Sequence, residues 1–274
     1  MPKLSIITIN LNNKEGLEKT IHSIVSQKFN DYEWIVIDGG SNDGSLEVLS
    51  LGTNRLKGTG HSVMCVSERD SGIYNAMNKG IGFANGEYCL FLNSGDWLYD
   101  AETLFKVFEI DSNADVLYGD MLMHKPKAQP QMRQFASHIS LEYIACEGLC
   151  HNTSFIKTSL LKEMPYDENY KIVSDRLNFV LWALQDKSFE HIPFVVSNVD
   201  MTGISSINNQ LLNDEIDLLI ERYVPKTIAE DFKIIHDDYQ DRQLLTPQVR
   251  HFAEIRAKSY AFRKITNMLL KMFK

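Results

Sequence analysis

The sequence predicts an α/β fold, a mostly parallel central sheet flanked by helices, followed by a helical C-terminal extension. Three observations carry that expectation. Short apolar-rich runs at Leu4–Ile9, Glu33–Asp38, Val63–Ser67 and Tyr88–Leu92 alternate with segments of helical periodicity. Runs of that kind mark strands covered on both faces, and strands that alternate with helices pair in parallel through right-handed crossovers. Beyond Gly203 the chain has no glycine, and from about Asn208 it reads as helix.

The elements follow in order. After the first strand, Leu17, Ile21, Ile24 and Val25 recur at helical spacing behind Asn12 or Asn13 as cap. The second strand ends in the loop "GGSNDGS", and the third precedes "GIYNAMNKGIGFANG", where Ile73, Ala76, Met77 and Ile81 share a helical face. The fourth strand runs into the polar corner Asn93-Ser94-Gly95-Asp96. Past residue 97 the pattern loosens. A helix over Glu102–Glu109, a strand over Asp115–Tyr118, an irregular hairpin over Met121–Gln134, helices over Thr158–Met164 and Asp175–Gln185, and a strand in "FEHIPFVVSNV" are expected.

The length of 274 residues suits one large domain, or one domain with an appendage. A net charge of −8 excludes nucleic-acid binding by bulk electrostatics. The four cysteines are too sparse for a disulfide framework; Cys65 and Cys89 fall in strands and are expected in the core. Cys146, Cys150 and His151 invite a zinc site, but no second cysteine pair follows at finger spacing. No apolar run reaches the length of a membrane span, and the N-terminus begins as a strand rather than a secretory signal, so a cytoplasmic location is expected. The stretch Ile255–Phe273 places Phe262, Ile265, Leu269 and Met272 on one side, with Arg256, Arg263, Lys271 and Lys274 on the other. A docked helix with a solvated face accounts for that stripe; so does a helix lying on the anionic inner face of the cell membrane.

The strand ends carry the chemistry. "NLNNKEG" after the first strand is neither a dinucleotide fingerprint nor a Walker A loop, though Asn10 there can meet a ligand. Asp38 opens "DGGSNDGS", where a carboxylate at a strand end can accept from a base N–H or a sugar hydroxyl while the glycines allow close approach. Asp43 reads as the cap of the following helix.

Taken together, "DGGSNDGS", "ERDSGIYNAMNKGIGFANGEY", "LFLNSGD", "CHNTSFIKTSLL", "PYDENYKIVSDRLNFVLWAL" and "MTGISS" resemble, in order, the motifs of family 2 inverting glycosyltransferases of the GT-A fold. The resemblance covers residues 3 to about 206 and is strongest to a polysaccharide, colanic-acid-type biosynthesis subgroup. It implies a transferase domain at 1–206, with a nucleotide-binding half (1–98) and an acceptor half (99–206), and an extension at 207–274. It implies a nucleotide-sugar donor, a UDP-sugar first among them, and a saccharide or prenyl-diphosphate-linked acceptor. Asn10, Asp38, Asp70, Asn78, Asn93, His151 and Gly203 are then expected at the donor. Relatives hold Mn²⁺ or Mg²⁺ with an acidic motif after strand four; here Asn93 and Gly95 replace two of its acids, leaving Asp96 as the expected ligand. Asp175, in "KIVSDRLNF", matches the general base, although the residues alone favour Ser174 or Asp175 as a helix N-cap. A sugar nucleotidyltransferase and a non-catalytic nucleotide-sugar-binding scaffold are the competing readings. The first would want a glycine-rich, basic loop after strand one.

Overall fold

The computed structural model describes residues 1–140, 143–144, 147–203, 209–223 and 226. In chain order these form β1 (Leu4–Asn10), α1 (Lys14–Val25), β2 (Tyr32–Asp38), α2 (Ser45–Gly58), β3 (Ser62–Ser67), α3 (Ile73–Phe83), β4 (Tyr88–Phe91), β5 (Trp97–Leu98), α4 (Thr103–Glu109), β6 (Val116–His124) and β7 (Gln131–Arg133). A 3-10 turn (His151–Thr153), β8 (Ser154–Lys157), α5 (Thr158–Glu163), α6 (Ser174–Leu184), β9 (Phe189–Asp200) and α7 (Asn209–Tyr223) follow.

The strands form one sheet in the order β3-β2-β1-β4-β8-β6-β9-β5, with β7 paired to β6 as a hairpin. The longest registers, β1 with β2, β2 with β3 and β6 with β9, are parallel, as is β1 with β4. β8 is inserted antiparallel between β4 and β6, and β5 closes the far edge antiparallel to β9.

Every residue of β1 and β2 is buried, because helices cover both faces of this half of the sheet. On one face Leu4, Ile6, Trp34 and Val36 share a core with Leu17, Ile21 and Ile24 of α1 and Leu49 and Leu56 of α2. On the other, Ile7 and Ile37 lie under Gly80 of α3, where a Cβ would come within 2.5 Å of Ile7 Cγ2. The alternation along each strand is the period-two geometry that lets an all-apolar run serve two layers.

One expectation changes here, and one element is new. Cys65 is exposed, since β3 is the edge strand and only part of its length is covered; Cys89, in central β4, is fully buried as expected. Ser154–Lys157, for which the sequence reading names no element, is a strand.

Gly86 explains why a glycine must precede β4. A Cβ there would lie 2.5 Å from Ser5 N and 2.6 Å from Leu4 C, where the chain crosses against β1, and Gly86 N donates to Ser5 Oγ at 2.8 Å. Backbone cannot yield as a flexible side chain can. Gly86→Ala is expected to destabilise the protein by about 1–3 kcal/mol, read as a lower urea midpoint at unchanged slope.

The chain divides into two compact units, Met1–Leu219 and Ile220–Lys274. The first extends past residue 206 and keeps the early turns of α7. There the buried Glu215 carboxylate accepts from the backbone N–H groups of Lys171 (2.7 Å), Ile172 (2.8 Å) and Val173 (3.2 Å), the segment that leads into α6. The striped stretch Ile255–Phe273 lies outside the described residues.

Candidate active site

Because β1, β2 and β4 run parallel, their carboxyl ends open on one edge of the sheet, where open α/β folds bind ligands. A cleft of about 980 Å³ lies there. Its first wall is formed by the loops after β1, β2, β3 and β4, and its second by His151, Asn152 and the segment Val199–Gly203. Of the expected residues, Asn10, Asp70, Asn93, Asp96, His151 and Gly203 border it. Asp38, Asn78 and Asp175 do not.

The structure does not bring Asp38, expected at the donor, to the cleft surface. Asp38 is fully buried, and its carboxylate accepts from Asn10 Nδ2 (2.8 Å), Gly40 N (3.2 Å), Ser41 N (3.0 Å), Ser41 Oγ (2.6 Å) and Ser67 Oγ (2.7 Å). Burial pushes its pKa up, but these donors, led by the Ser41 and Ser67 hydroxyls, outweigh it and leave the carboxyl below its ordinary value. Five donors saturate a carboxylate. Asp38 therefore shapes the loop at Gly39 and Gly40, which do border the cleft, and Gly40 takes a left-handed φ of 82° there. Asn10 keeps a buried Oδ1 without a partner.

Asn78 does not reach the cleft surface either. Its side chain donates to Tyr166 O (2.9 Å) and Glu168 Oε1 (3.0 Å) and accepts from Tyr166 N (3.0 Å), bracing α3 against the segment before α6. Asp70 sits on the cleft wall, held by Lys79 Nζ at 2.7 Å. Arg69 beside it adds a guanidinium to a wall that otherwise carries Asp70, Asp96 and Asp200.

The corner after β4 turns inward. Gly95 takes φ 108°, and the buried Asp96 accepts from Asn152 Nδ2 (3.2 Å) and Asp200 N (3.0 Å) rather than capping α4. Burial raises the Asp96 pKa to about 6 despite those two bonds. An ionised carboxylate buried beside Asp200, on the wall of a cleft, is what a divalent cation would neutralise. Among the described residues no group of three or more ligating side chains gathers there. Asn152 lies in the motif "CHNTSFIKTSLL" beside His151, and Asp200 just before "MTGISS", but neither was expected at Asp96; they reach it through folding.

Across the cleft, His151 Nδ1 lies 2.8 Å from Asp175 Oδ2, and His151 Nε2 lies 3.1 Å from Asn93 Nδ2. Asp175 Oδ1 accepts from Arg176 N (2.9 Å) and stands 3.0 Å from the Tyr74 hydroxyl, which also reaches Ile172 O at 2.6 Å. Asp175 is the second residue of α6 and makes no N-cap bond, so the simple capping alternative falls. Burial opposes its charge, yet the bond and charge of His151, then Arg176 N and Tyr74, hold its pKa below the ordinary carboxylate value. Burial likewise opposes an imidazolium, but Asp175, with a smaller contribution from Asp96, raises the His151 pKa above its ordinary value. The two shifts agree in direction, as an ion pair requires.

Residues 5–156 match the family described as glycosyl transferase family 2. The chain belongs to that family. It is a glycosyltransferase, and the nucleotidyltransferase and scaffold readings fall with that membership. A PGL/p-HBAD biosynthesis glycosyltransferase of Mycobacterium bovis (strain BCG / Pasteur 1173P2) is 30% identical over 212 residues, covering 76% of this chain and 77% of that protein. An uncharacterized glycosyltransferase of Mycobacterium tuberculosis (strain CDC 1551 / Oshkosh) is 31% identical over 211 residues, 75% of this chain and 78% of that one. Among solved structures, S. aureus TarS 1-349 in complex with UDP-GlcNAc aligns with a TM-score of 0.65 at 20% identity, covering 93% of this chain and 74% of that one. The mannosyltransferase PcManGT of Pyrobaculum calidifontis, in complex with GDP-Man and Mn²⁺, aligns at 0.62 and 13% identity, covering 99% and 80%. These likenesses place the fold in the GT-A class.

Proposed function

We propose that this glycosyltransferase moves one sugar, with inversion, from a nucleoside-diphosphate sugar to a hydroxyl of a saccharide or prenyl-diphosphate-linked saccharide in the assembly of a cell-surface polysaccharide or glycolipid. The observation that carries the reading is the cleft itself. It brings His151, with Asp175 bonded behind it, and Asp96 to one space of about 980 Å³ at the strand ends, within the range of small-molecule sites.

Inversion is an in-line displacement at the anomeric carbon. The acceptor oxygen bonds to that carbon from one face while the bond to the diphosphate oxygen breaks on the other, and the acceptor proton needs a base. We assign the base to the Asp175–His151 pair, with Asp175 as the carboxylate that remains ionised. Asn10, Asp70, Asn93 and Gly203 hold the donor, with Arg69 adding a cation, and Asp38 and Asn78 support the walls from behind. A divalent cation held by Asp96, with Asp200 beside it, would supply charge neutralisation for the departing diphosphate.

That solved relatives of the fold carry UDP-GlcNAc or GDP-Man supports a nucleotide-sugar donor, with a UDP-sugar the first expectation. The names of the mycobacterial relatives support an acceptor in glycolipid assembly. Among the described residues no helix is long and apolar enough to cross a membrane. We assign contact with the cytoplasmic membrane face to the basic stripe of Ile255–Phe273.

Thermal melts with UDP, GDP, CDP and dTDP, each with and without Mn²⁺, test the donor half of this reading. A ligand at a hundred times its dissociation constant adds about 2.7 kcal/mol. One nucleotide is expected to raise the melting temperature, and more so with Mn²⁺. A folded protein unmoved by all four would overturn the donor assignment.

A further inference from the structure

The segment Lys171–Val173 delivers Asp175 to the start of α6, and it is held from two sides. On one side is the Tyr74 hydroxyl of α3, which lies 2.6 Å from Ile172 O and accepts from Ser174 N at 3.1 Å. On the other side α7 inserts Glu215, only 7% exposed. Its Oε1 accepts from Lys171 N, and its Oε2 accepts from both Ile172 N and Val173 N. Ile216 and Leu219, also buried, anchor the same helix.

We infer that Glu215 is a positioning residue for the transfer: from behind the cleft, which it does not border, its carboxylate sets the place of Asp175 and so of the Asp175–His151 pair. The inference rests on the transfer reading above. It adds to the machinery a residue beyond the expected transferase domain at 1–206.

The geometry gives the reason. Asp175 is the second residue of α6, so the backbone angles of Lys171–Val173 set where its carboxylate lands. That carboxylate is tightly placed, with Oδ2 2.8 Å from His151 Nδ1 and Oδ1 accepting from Arg176 N at 2.9 Å. Three consecutive N–H groups bonded to one side chain leave the segment little freedom to turn. A carboxylate suits the task, since its two oxygens take all three donors and its negative charge lies at a helix N-terminus. Buried N–H groups deprived of it must find other acceptors, and the segment moves as they do. A shift of about 1 Å in a reacting group can cost about 10² in rate.

A glutamate that merely fastened α7 to the domain would matter for stability and not for turnover. Two variants and the wild type separate the roles. Glu215→Ala removes every acceptor, and Glu215→Gln turns an NH₂ against at least one of the three N–H groups. In an assay of nucleoside diphosphate release from UDP-GlcNAc, UDP-glucose and GDP-mannose, with water as acceptor, Glu215→Ala is expected to lower kcat by about 10², and Glu215→Gln by less. The donor KM should stay at the wild-type value. The His151 titration, followed by NMR without substrate, should fall from its raised value toward the ordinary one as the bond to Asp175 loosens. Gly86→Ala, which disturbs the start of β4 away from the cleft, should change neither.

A folded Glu215→Ala enzyme that keeps kcat within about threefold, or the wild-type His151 titration, overturns the inference. So does an equal loss of kcat in Gly86→Ala. Should Glu215→Ala not fold, Glu215→Gln decides by the same readouts. Amide exchange in the wild type reads the clamp directly: Ile172 and Val173 are expected to be protected, and unprotected exchange there overturns the inference whatever the variants do. The failures remain distinct. A wild type that releases diphosphate from none of the donors sinks the transfer reading, whereas the titration and the exchange are read without turnover and decide this inference alone.

Discussion

Asparagine at position 175 is expected to lower the turnover of the enzyme by about 10²–10⁴ while leaving nucleotide affinity unchanged. The reason is geometric. The aspartate accepts on both oxygens, from His151 on one side and from Arg176 N on the other. An amide has one acceptor and one donor end. The Arg176 N–H is backbone and cannot reverse, so the amide oxygen must stay there and its NH₂ must face His151 Nδ1. That arrangement removes the ionised carboxylate from the Asp175–His151 pair to which the base is assigned. It also removes the charge that chiefly raises the His151 pKa. For the wild type, activity is expected to be lost as pH falls through the raised His151 value, because the Asp175–His151 pair has room for the acceptor's proton only while the ring is neutral. In Asp175→Asn the residual activity should keep its acid limb at lower pH, since the imidazolium has lost its partner. Rates of diphosphate release across pH 5 to 9, with nucleotide melting shifts beside them, check both parts. A variant with wild-type turnover would remove Asp175 from the chemistry.

What the sequence disclosed of this site follows from the physics of each element. Strands β1, β2 and β4 were legible because a strand buried on two faces must be apolar at successive positions, and few other structures ask for that. The same run of residues reads alike at a sheet's centre and at its edge, which is why Cys65 was expected inside and lies outside. Strand β8 is four residues wedged antiparallel between β4 and β6 and joined directly to α5; so short a segment has no period of its own. Asp38 shows a different limit. A carboxylate at a strand end has one chemistry, accepting hydrogen bonds, whether the donors come from a ligand or from the protein, and only the five donors of Asn10, Gly40, Ser41 and Ser67 decide. The contacts of Asn152 and Asp200 with Asp96 were hidden for a third reason. They meet Asp96 across 56 and 104 residues of chain, and no local spacing encodes such a meeting.

Asparagine at position 96 is expected to stabilise the metal-free protein and to abolish any effect of metal on nucleotide binding. Burial raises the Asp96 pKa from 3.8 to about 6, so folding favours its protonated form. For an acid whose folded value is raised, the penalty is absent below the unfolded value, grows as pH rises from about 4 to 6, and is fully present above. Two units correspond to about 3 kcal/mol, which bounds the gain from removing the charge at pH 8. The neighbours can accommodate the change. The asparagine oxygen still accepts from Asp200 N, and its NH₂ meets Asn152, whose own Oδ1 is buried without a partner and needs only a turn of the amide to receive it. Melts without metal should therefore show the variant several degrees above wild type at pH 8, about half that far above at pH 5, and little different below about pH 4. With Mn²⁺ and the cognate nucleoside diphosphate the order should reverse, because the cation has lost its buried carboxylate. Should the variant melt lower than wild type at pH 8, Asp96 is a scaffold residue whose charge the fold already accommodates. An Mn²⁺-dependent nucleotide shift equal to the wild type's would mean that the cation sits elsewhere, and a carboxylate kept ionised at a cost to folding would then need a different reason to be there.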